Sequence, residues 1–312
     1  MAQEPRTLIE AVRYFADPDV ALKHMVELRW PGGVHCPTCG RTDVRFLATR
    51  RLWECREKHA RKQFSAKVGT IFEDSALSLD KWFVAIWMVA NCKNGISSYE
   101  MARAIGVTQK SAWHMNHRIR LAMKLGTIEK MDGHLEADET YIGGKAVNRH
   151  KGDPKNGPGT AGKVAVVGAL QRDGKAVAAV IERPDTRTLD GFVHAVAAPL
   201  ATVSTDEHSG YRHLGRTFNH GVVRHSAGEY VKGVHHTNSI EGFWALLKRS
   251  IKGTYISVEP FHLGRYVDEH TFRFNERKGN DGSRFQSALR GITGRRLTYK
   301  ELTRNGAIAS AT

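Results

Sequence analysis

The sequence predicts an α/β fold: a mixed-sheet domain preceded by a small cysteine-bearing module and a helical region. Three observations predict it. From about residue 134 the pattern turns to short Val-rich runs, 163–171 and 175–182, joined by Arg172-Asp173-Gly174, a hairpin signal. Residues 188–201 then read as a helix and 200–206 as a further strand, so strands and helices are interleaved. Ahead of them, residues 79–125 have helical periodicity, and residues 34–66 are turn-rich and hold three of the four cysteines.

In order, residues 1–30 read as helical. Asp17-Pro18-Asp19 marks a helix start, Ala21, Met25, Val26 and Leu28 follow at roughly helical spacing, and Pro31-Gly32-Gly33 ends it. The expected division is 1–30 helical, 31–70 cysteine module, 71–130 helical, 131–290 α/β domain and 291–312 tail. Residues 145–163, rich in Gly, Pro and basic residues, read as a mobile surface loop near the first strand of that domain.

The chain has 312 residues, and Lys plus Arg exceed Asp plus Glu by 47 − 32 = 15. That excess favours a polyanionic partner over an inert basic surface. No apolar run is long enough to span a bilayer, and the N-terminus lacks a signal-peptide core. An intracellular protein is therefore expected, and cysteines in a reducing compartment point to metal or packing rather than disulfides.

Cys36-Pro-Thr-Cys39-Gly40 places two thiolates on one knuckle, and fifteen residues separate Cys39 from Cys55. A second Cys-x-x-Cys is absent; His59, four residues after Cys55, is the natural fourth ligand, with His35 as a rival. Cys36, Cys39, Cys55 and His59 would form a closed, structural Zn²⁺ site, and Cys92 reads as helix packing. Basic residues around the ligands, Arg45, Arg50, Arg56 and Lys62 among them, suit phosphate contacts or simple solvation. Residues 94–114 have helix-turn-helix grammar: Ser97 or Ser98 caps a first helix, Gly106 permits the turn, and Thr108 caps a second. That second helix is expected to expose Thr108, Gln109 and Lys110 to a major groove, with Arg118 and Arg120 adding charge.

Three carboxylates sit in patterned segments: Asp138 in a strand, Asp206 at a strand end and Glu241 in a helix. Brought to one point they repel unless cations neutralise them, and oxygen-only ligands suit Mg²⁺ or Mn²⁺. Such an ion pair activates a nucleophile and stabilises the leaving oxygen of a phosphodiester. Rivals surround each acid. Glu139 follows Asp138 but points to the opposite strand face, and Glu207 reads as a loop carboxylate. Asp268 and Glu269 read as partners of Arg265 or Arg273, with replacement of Glu241 as the other reading; Asn238 is a further candidate ligand. His235 and His236 are either structural or close to the reacting phosphate.

The chain resembles insertion-sequence transposases of the IS1595 family, ISXO2-like type, over nearly its whole length. The resemblance rests on Cys-Pro-Thr-Cys-Gly (36–40), Lys-Gln-Phe-Ser (62–65), Gly-Thr-Ile-Phe-Glu-Asp-Ser (69–75), Ala-Asp-Glu-Thr-Tyr-Ile-Gly-Gly-Lys (137–145), Ser-Thr-Asp (204–206), Asn-Ser-Ile-Glu-Gly-Phe-Trp-Ala-Leu-Leu-Lys-Arg (238–249) and residues 266–277. It implies an RNase H-like mixed-sheet core with Asp138, Asp206 and Glu241 as a DDE triad, preceded by a zinc ribbon and a helix-turn-helix region. It also implies Lys248, seven residues after Glu241 and about two helical turns along the same face, as a DNA-holding residue. The family's zinc site often has Cys where this chain has His59. The implied partners are double-stranded DNA, as terminal inverted repeats and as target, and further copies of the chain in a synaptic assembly. The implied setting is cytoplasmic and nucleoid-associated, without membrane. The other classes weighed are a DNA-binding regulator with an inactive core and an RNase H-like nuclease that does not join strands.

Overall fold

The computed structural model describes residues 4–127, 129–143 and 159–303. The chain forms two compact units, Met1–Lys124 with Lys278–Thr312, and Leu125–Arg277.

The first unit opens with α1 (Leu8–Phe15) and α2 (Pro18–Arg29). Asp17 caps α2 and Pro18 stands at its first position, as the sequence signals require. A three-stranded antiparallel ribbon follows: β1 (Val44–Leu47), β2 (Leu52–Cys55) and β3 (Gln63–Phe64). Then come α3 (Leu79–Asn91), α4 (Ser98–Ile105) and α5 (Gln109–Met123). Ser97 and Glu100 form a capping box on α4. Gly106 ends α4 with φ +63, a left-handed conformation that costs glycine little, and Thr108 caps α5.

Two expectations change in this unit. Beyond its first turn α5 is a core helix: Arg118 and Arg120 are 5% and 2% exposed. Arg118 donates to the carbonyls of Leu297 (2.9 Å) and Glu73 (2.6 Å), so its charge neutralises backbone dipoles rather than adding to a groove-facing surface. At the exposed end, Thr108 and Lys110 face solvent, while Gln109 turns back to donate to Ser98 Oγ (2.8 Å). The second change is the expected domain end at 290. The helix Asp281–Arg290 lies in the first unit, because Phe285 packs against Phe15, Phe83 and Trp87.

The second unit is built on a five-stranded sheet. Its strands are β4 (His134–Ile142), β5 (Val164–Gln171), β6 (Ala176–Ile181), β7 (Thr202–Thr205) and β8 (Asn219–Val222), in the order β6-β5-β4-β7-β8. β4 pairs antiparallel with β5 and parallel with β7, so the sheet is mixed about its central strand. α6 (Thr186–Val196) covers one face, with Leu189 and Val193 packed on Leu135 and Ala137. α7 (Asn238–Ser250) and α8 (Leu263–Asn275) cover the other, where Phe243, Trp244 and Tyr266 join Ile142, Val166 and Leu170. The helix expected over 188–201 stops at Val196. Ala197 bridges to Met131 and the Ala198 N–H bonds the Met131 carbonyl, so the chain is already pairing beside the segment that leads into β4. The expected 145–163 loop lies, through residue 158, outside the described residues, as do residues 304–312 of the tail.

Candidate active site

Alternation along β4 sends Leu135, Ala137 and Glu139 toward α6, and Glu136 and Asp138 toward α7. Asp138 accepts a hydrogen bond from Trp244 Nε1 of α7 at 3.0 Å. The neighbouring strand makes room for that indole. Gly168 pairs directly with Asp138, and a Cβ built on it would stand 2.7 Å from the Trp244 ring. Any larger residue there would displace the donor that orients Asp138. Burial pushes the Asp138 carboxyl up to about 7, and the charges of Asp206 and Glu139 push the same way.

Asp206 follows the last residue of β7 and accepts from the His208 N–H at 2.9 Å. The last β4 pairing with β7 is Glu136 with Ser204, so β4 runs on past the end of its neighbour. Acids from either face of β4 can therefore reach around the open edge to Asp206. Asp138, Glu139 and Asp206 each offer an oxygen, all within 4.8 Å of one another. Glu139 is thus on the opposite face, as strand alternation requires, but it belongs to the cluster that the sequence reading kept it out of. Tyr211 Oη donates to it at 3.0 Å, and His208 Nε2 lies 3.7 Å away. Its carboxyl is held above the usual range, chiefly by burial.

Glu136 is the residue that sequence reasoning missed. Its side chain is 0% exposed and four groups surround it. It accepts from the N–H groups of Ser239 (2.8 Å) and Ile240 (3.0 Å) in the first turn of α7, and from Arg172 Nε (2.8 Å); His236 Nδ1 lies 3.1 Å away. The carboxylate therefore caps a helix N-terminus, where orphan donors and the helix dipole favour negative charge. The available signal was Leu-Glu-Ala-Asp itself, two acids at strand spacing that share one face of the strand.

Glu241 stands one turn before Trp244 on α7, but it is not part of the Asp138 cluster. Its side chain is half exposed; it accepts from Thr237 Oγ1 at 2.9 Å, and His225 Nε2 lies 3.5 Å away. Lys248 continues the same helical stripe and has no ion-pair partner among the described residues. Asn238, the first residue of α7, is exposed. His235 packs on the sheet, with Nδ1 3.0 Å from Ser204 Oγ and its ring in space that a Cβ on Gly221 would fill. Glu207 accepts from the His225 and Ser226 N–H groups, a loop role as expected. Glu269 is buried against Arg273 and Tyr255, away from the acidic cluster.

The cysteine module closes on itself. Cys36, Cys39, Cys55 and His59 bring four donor atoms within 4.8 Å of one another; His35 is outside the group. Cys36 Sγ is 3.4 Å from His59 Nε2, and Cys39 Sγ is 3.6 Å from Cys55 Sγ. A tetrahedron with Zn–S near 2.3 Å has edges of roughly 3.5–3.8 Å, so the donor set fits zinc with no position left open. Gly40, at φ +75, lets the knuckle turn so that its N–H bonds the Cys36 carbonyl at 2.8 Å. The acidic cluster differs in kind. Its oxygens are hard, negatively charged and mutually repelling, a donor set suited to Mg²⁺ or Mn²⁺.

Comparison with known proteins finds a match in each unit. Residues 130–275 match the ISXO2-like transposase domain, and residues 17–61 match the transposase zinc-ribbon domain. A protein described as an uncharacterised protein in transposable element ISH50 of Halobacterium salinarum is 26% identical over 262 residues, covering 76% of this chain and 84% of that protein. No helix among the described residues is long and apolar enough to cross a membrane. A zinc ribbon with its four donors assembled, followed by the matching transposase domain, makes this chain a member of the IS1595-type, ISXO2-like insertion-sequence transposases.

Proposed function

We propose that the chain cuts the ends of an insertion sequence and joins the freed 3′-hydroxyls to target DNA by two-metal-ion phosphoryl transfer. The observation that carries this is the convergence of Asp138, Glu139 and Asp206 at the open edge of β4, in a domain of transposase type. The mixed sheet centred on β4, with helices on both faces, supports the RNase H-like reading of that domain.

Asp138 and Asp206 would hold the ions between them, with Glu241 as the third acid. Bound Mg²⁺ or Mn²⁺ supplies charge stabilisation at the attacking and leaving oxygens. The chain's own residues do the rest. Trp244 holds one oxygen of Asp138 and leaves the other for coordination. Glu136 fixes the start of α7, and with it the direction of Glu241 and Lys248. Lys248 offers an ammonium to the DNA backbone. Water attacks the phosphodiester at the element's end and the bond to the 3′-oxygen breaks, freeing a 3′-hydroxyl. That hydroxyl then attacks a target phosphodiester and displaces its 3′-oxygen. No side chain becomes bonded to DNA.

A second reading of the third ligand has its own observation: Glu139, not Glu241, lies in the cluster. Exchanging each for Gln separates the two. The zinc ribbon and the first turn of α5, with Thr108 and Lys110 exposed, are the proposed readers of the inverted repeats. Two ends must be cut together, so a dimer or larger assembly is proposed, acting on DNA of the nucleoid.

The test is transposition in cells, with a marker placed between the gene's native flanking sequences and the protein supplied separately. Movement with wild type and none with Asp138→Asn is the expected result. Movement with both would sink the assignment. Binding of those flanks without movement by the wild type would favour a regulator, and cutting without joining would favour a nuclease.

A further inference from the structure

The segment between β8 and α7 has no part in the chemistry above, yet it forms a rim beside Glu241. It is fastened at both ends. Glu207 accepts from the N–H groups of His225 and Ser226, Arg172 donates to the Val234 carbonyl at 2.7 Å, and Lys232 and His235 exchange backbone hydrogen bonds. Between those ties it turns through Gly228 (φ +70) and Gly233 (φ +60), and presents apolar side chains to solvent. Tyr230 is 61% exposed, and Val231 and Val234 are 55% exposed each. Single exposed apolar residues are ordinary, but three within five positions on an anchored loop form a surface. That surface is coupled to the site by contact: the Tyr230 and His225 rings lie 5.3 Å apart, and His225 Nε2 is 3.5 Å from Glu241 Oε1. Arg224 and Lys232, both exposed, give it positive charge.

We infer that Tyr230, flanked by Val231 and Val234, is a stacking platform for an unpaired base of the DNA end being processed. The inference rests on the transposase reading and adds to it a residue that holds a nucleotide outside the duplex. Chemistry and position both argue for this occupant. The Glu139 side chain is only 6% exposed and the three acids are half-buried beside β4, so a phosphodiester reaches them most readily when its strand has left the duplex. A base that leaves the duplex gives up stacking, and an exposed aromatic ring beside the site replaces it. The flanking cations suit the phosphates on either side.

The experiment uses the full chain with Ca²⁺ in place of Mg²⁺ and synthetic duplexes of the gene's flanking sequence. Each duplex has either a blunt end or a short single-stranded end carrying 2-aminopurine. Wild type should quench the 2-aminopurine and prefer the single-stranded end. Tyr230→Ala should lose the quenching and about 5- to 100-fold of that preference, while binding blunt duplex as wild type does. Tyr230→Phe should keep both, since the ring and not the hydroxyl stacks. Quenching by Tyr230→Ala equal to wild type would overturn the platform and leave the transposase reading standing. So would a fall in oligomer size on Tyr230→Ala with quenching unchanged, because the rim would then be a contact between copies. Failure of wild type to bind either duplex would remove the transposase reading, and the platform with it.

Discussion

Glu136 and Asp138 stand two residues apart on the same face of one strand, under the same helix, and meet opposite fates. Glu136 is fully buried and met by two helix N–H groups and Arg172, with His236 close by. Asp138 is met by neutral donors, the Trp244 indole and the Glu139 backbone, and faces two further carboxylates. Burial of a carboxylate is costly unless it is paired, so the first is complete within the chain, while the second is left among like charges. Position on the strand does not assign a role to an acid; what neutralises it does. The cysteine module repeats the lesson with softer donors, four atoms drawn together in a geometry that suits a single zinc ion.

Removal of the open acid is expected to have the largest effect. Asp138→Asn is expected to lower DNA strand cutting on the order of 10³-fold while leaving the fold intact. A gel assay on flanking-sequence duplexes, with circular dichroism as the control, reads both. Next is the closed acid. Glu136→Ala leaves Arg172 and the α7 donors without their partner and is expected to cost about 3–5 kcal/mol of stability, read by urea unfolding. Glu136→Gln, which can still accept hydrogen bonds, should cost less. A loss confined to activity, with stability unchanged, would show that Glu136 is not the structural cap described here.

Gly168→Ala probes the donor of Asp138. The added methyl meets the Trp244 ring at 2.7 Å, so the indole must move off the carboxylate. Cutting should fall about 10- to 100-fold, as for a residue that orients a metal ligand. Rates unchanged within a factor of two would show that Trp244 does not orient Asp138.

A further effect concerns pH. A carboxyl ionises near 4 in an unfolded chain and at about 7 for Asp138 in the folded one. Between those values the folded state holds the extra proton, so metal-free protein loses stability as pH rises from about 4 to about 7. The loss is on the order of 2–4 kcal/mol. Added Mg²⁺ should therefore raise the melting temperature more at pH 8 than at pH 5, and Asp138→Asn should flatten that difference. Equal stabilisation at both pH values would contradict the raised pKa.

Much of this was legible in the sequence, for physical reasons. The hairpin of β5 and β6 announced itself through Arg172-Asp173-Gly174, and Asp173 does adopt a positive φ. The cysteine spacing marked the zinc module because ligand geometry fixes spacing. Strand alternation placed Glu139 correctly by face yet misled about its reach, because the end of β7, which opens the β4 edge, is a tertiary fact. Arg118 read as a surface cation because local pattern cannot show that Leu297, 179 residues away, supplies a carbonyl to it. Glu136 escaped notice for the same reason: its partners are Arg172 and the start of α7, about a hundred residues further on.

The most direct measurement is strand cutting and joining on flanking-sequence duplexes, with and without Mg²⁺, by wild type and by the Asp138→Asn, Glu139→Gln and Glu241→Gln variants. Wild type should cut and join only with Mg²⁺ or Mn²⁺. Asp138→Asn should do neither, and one of the two glutamate variants should fail with it, identifying the third acid. Cutting at the wild-type rate by Asp138→Asn, or by wild type without any divalent ion, would contradict the assignment of this cluster as the site of DNA chemistry.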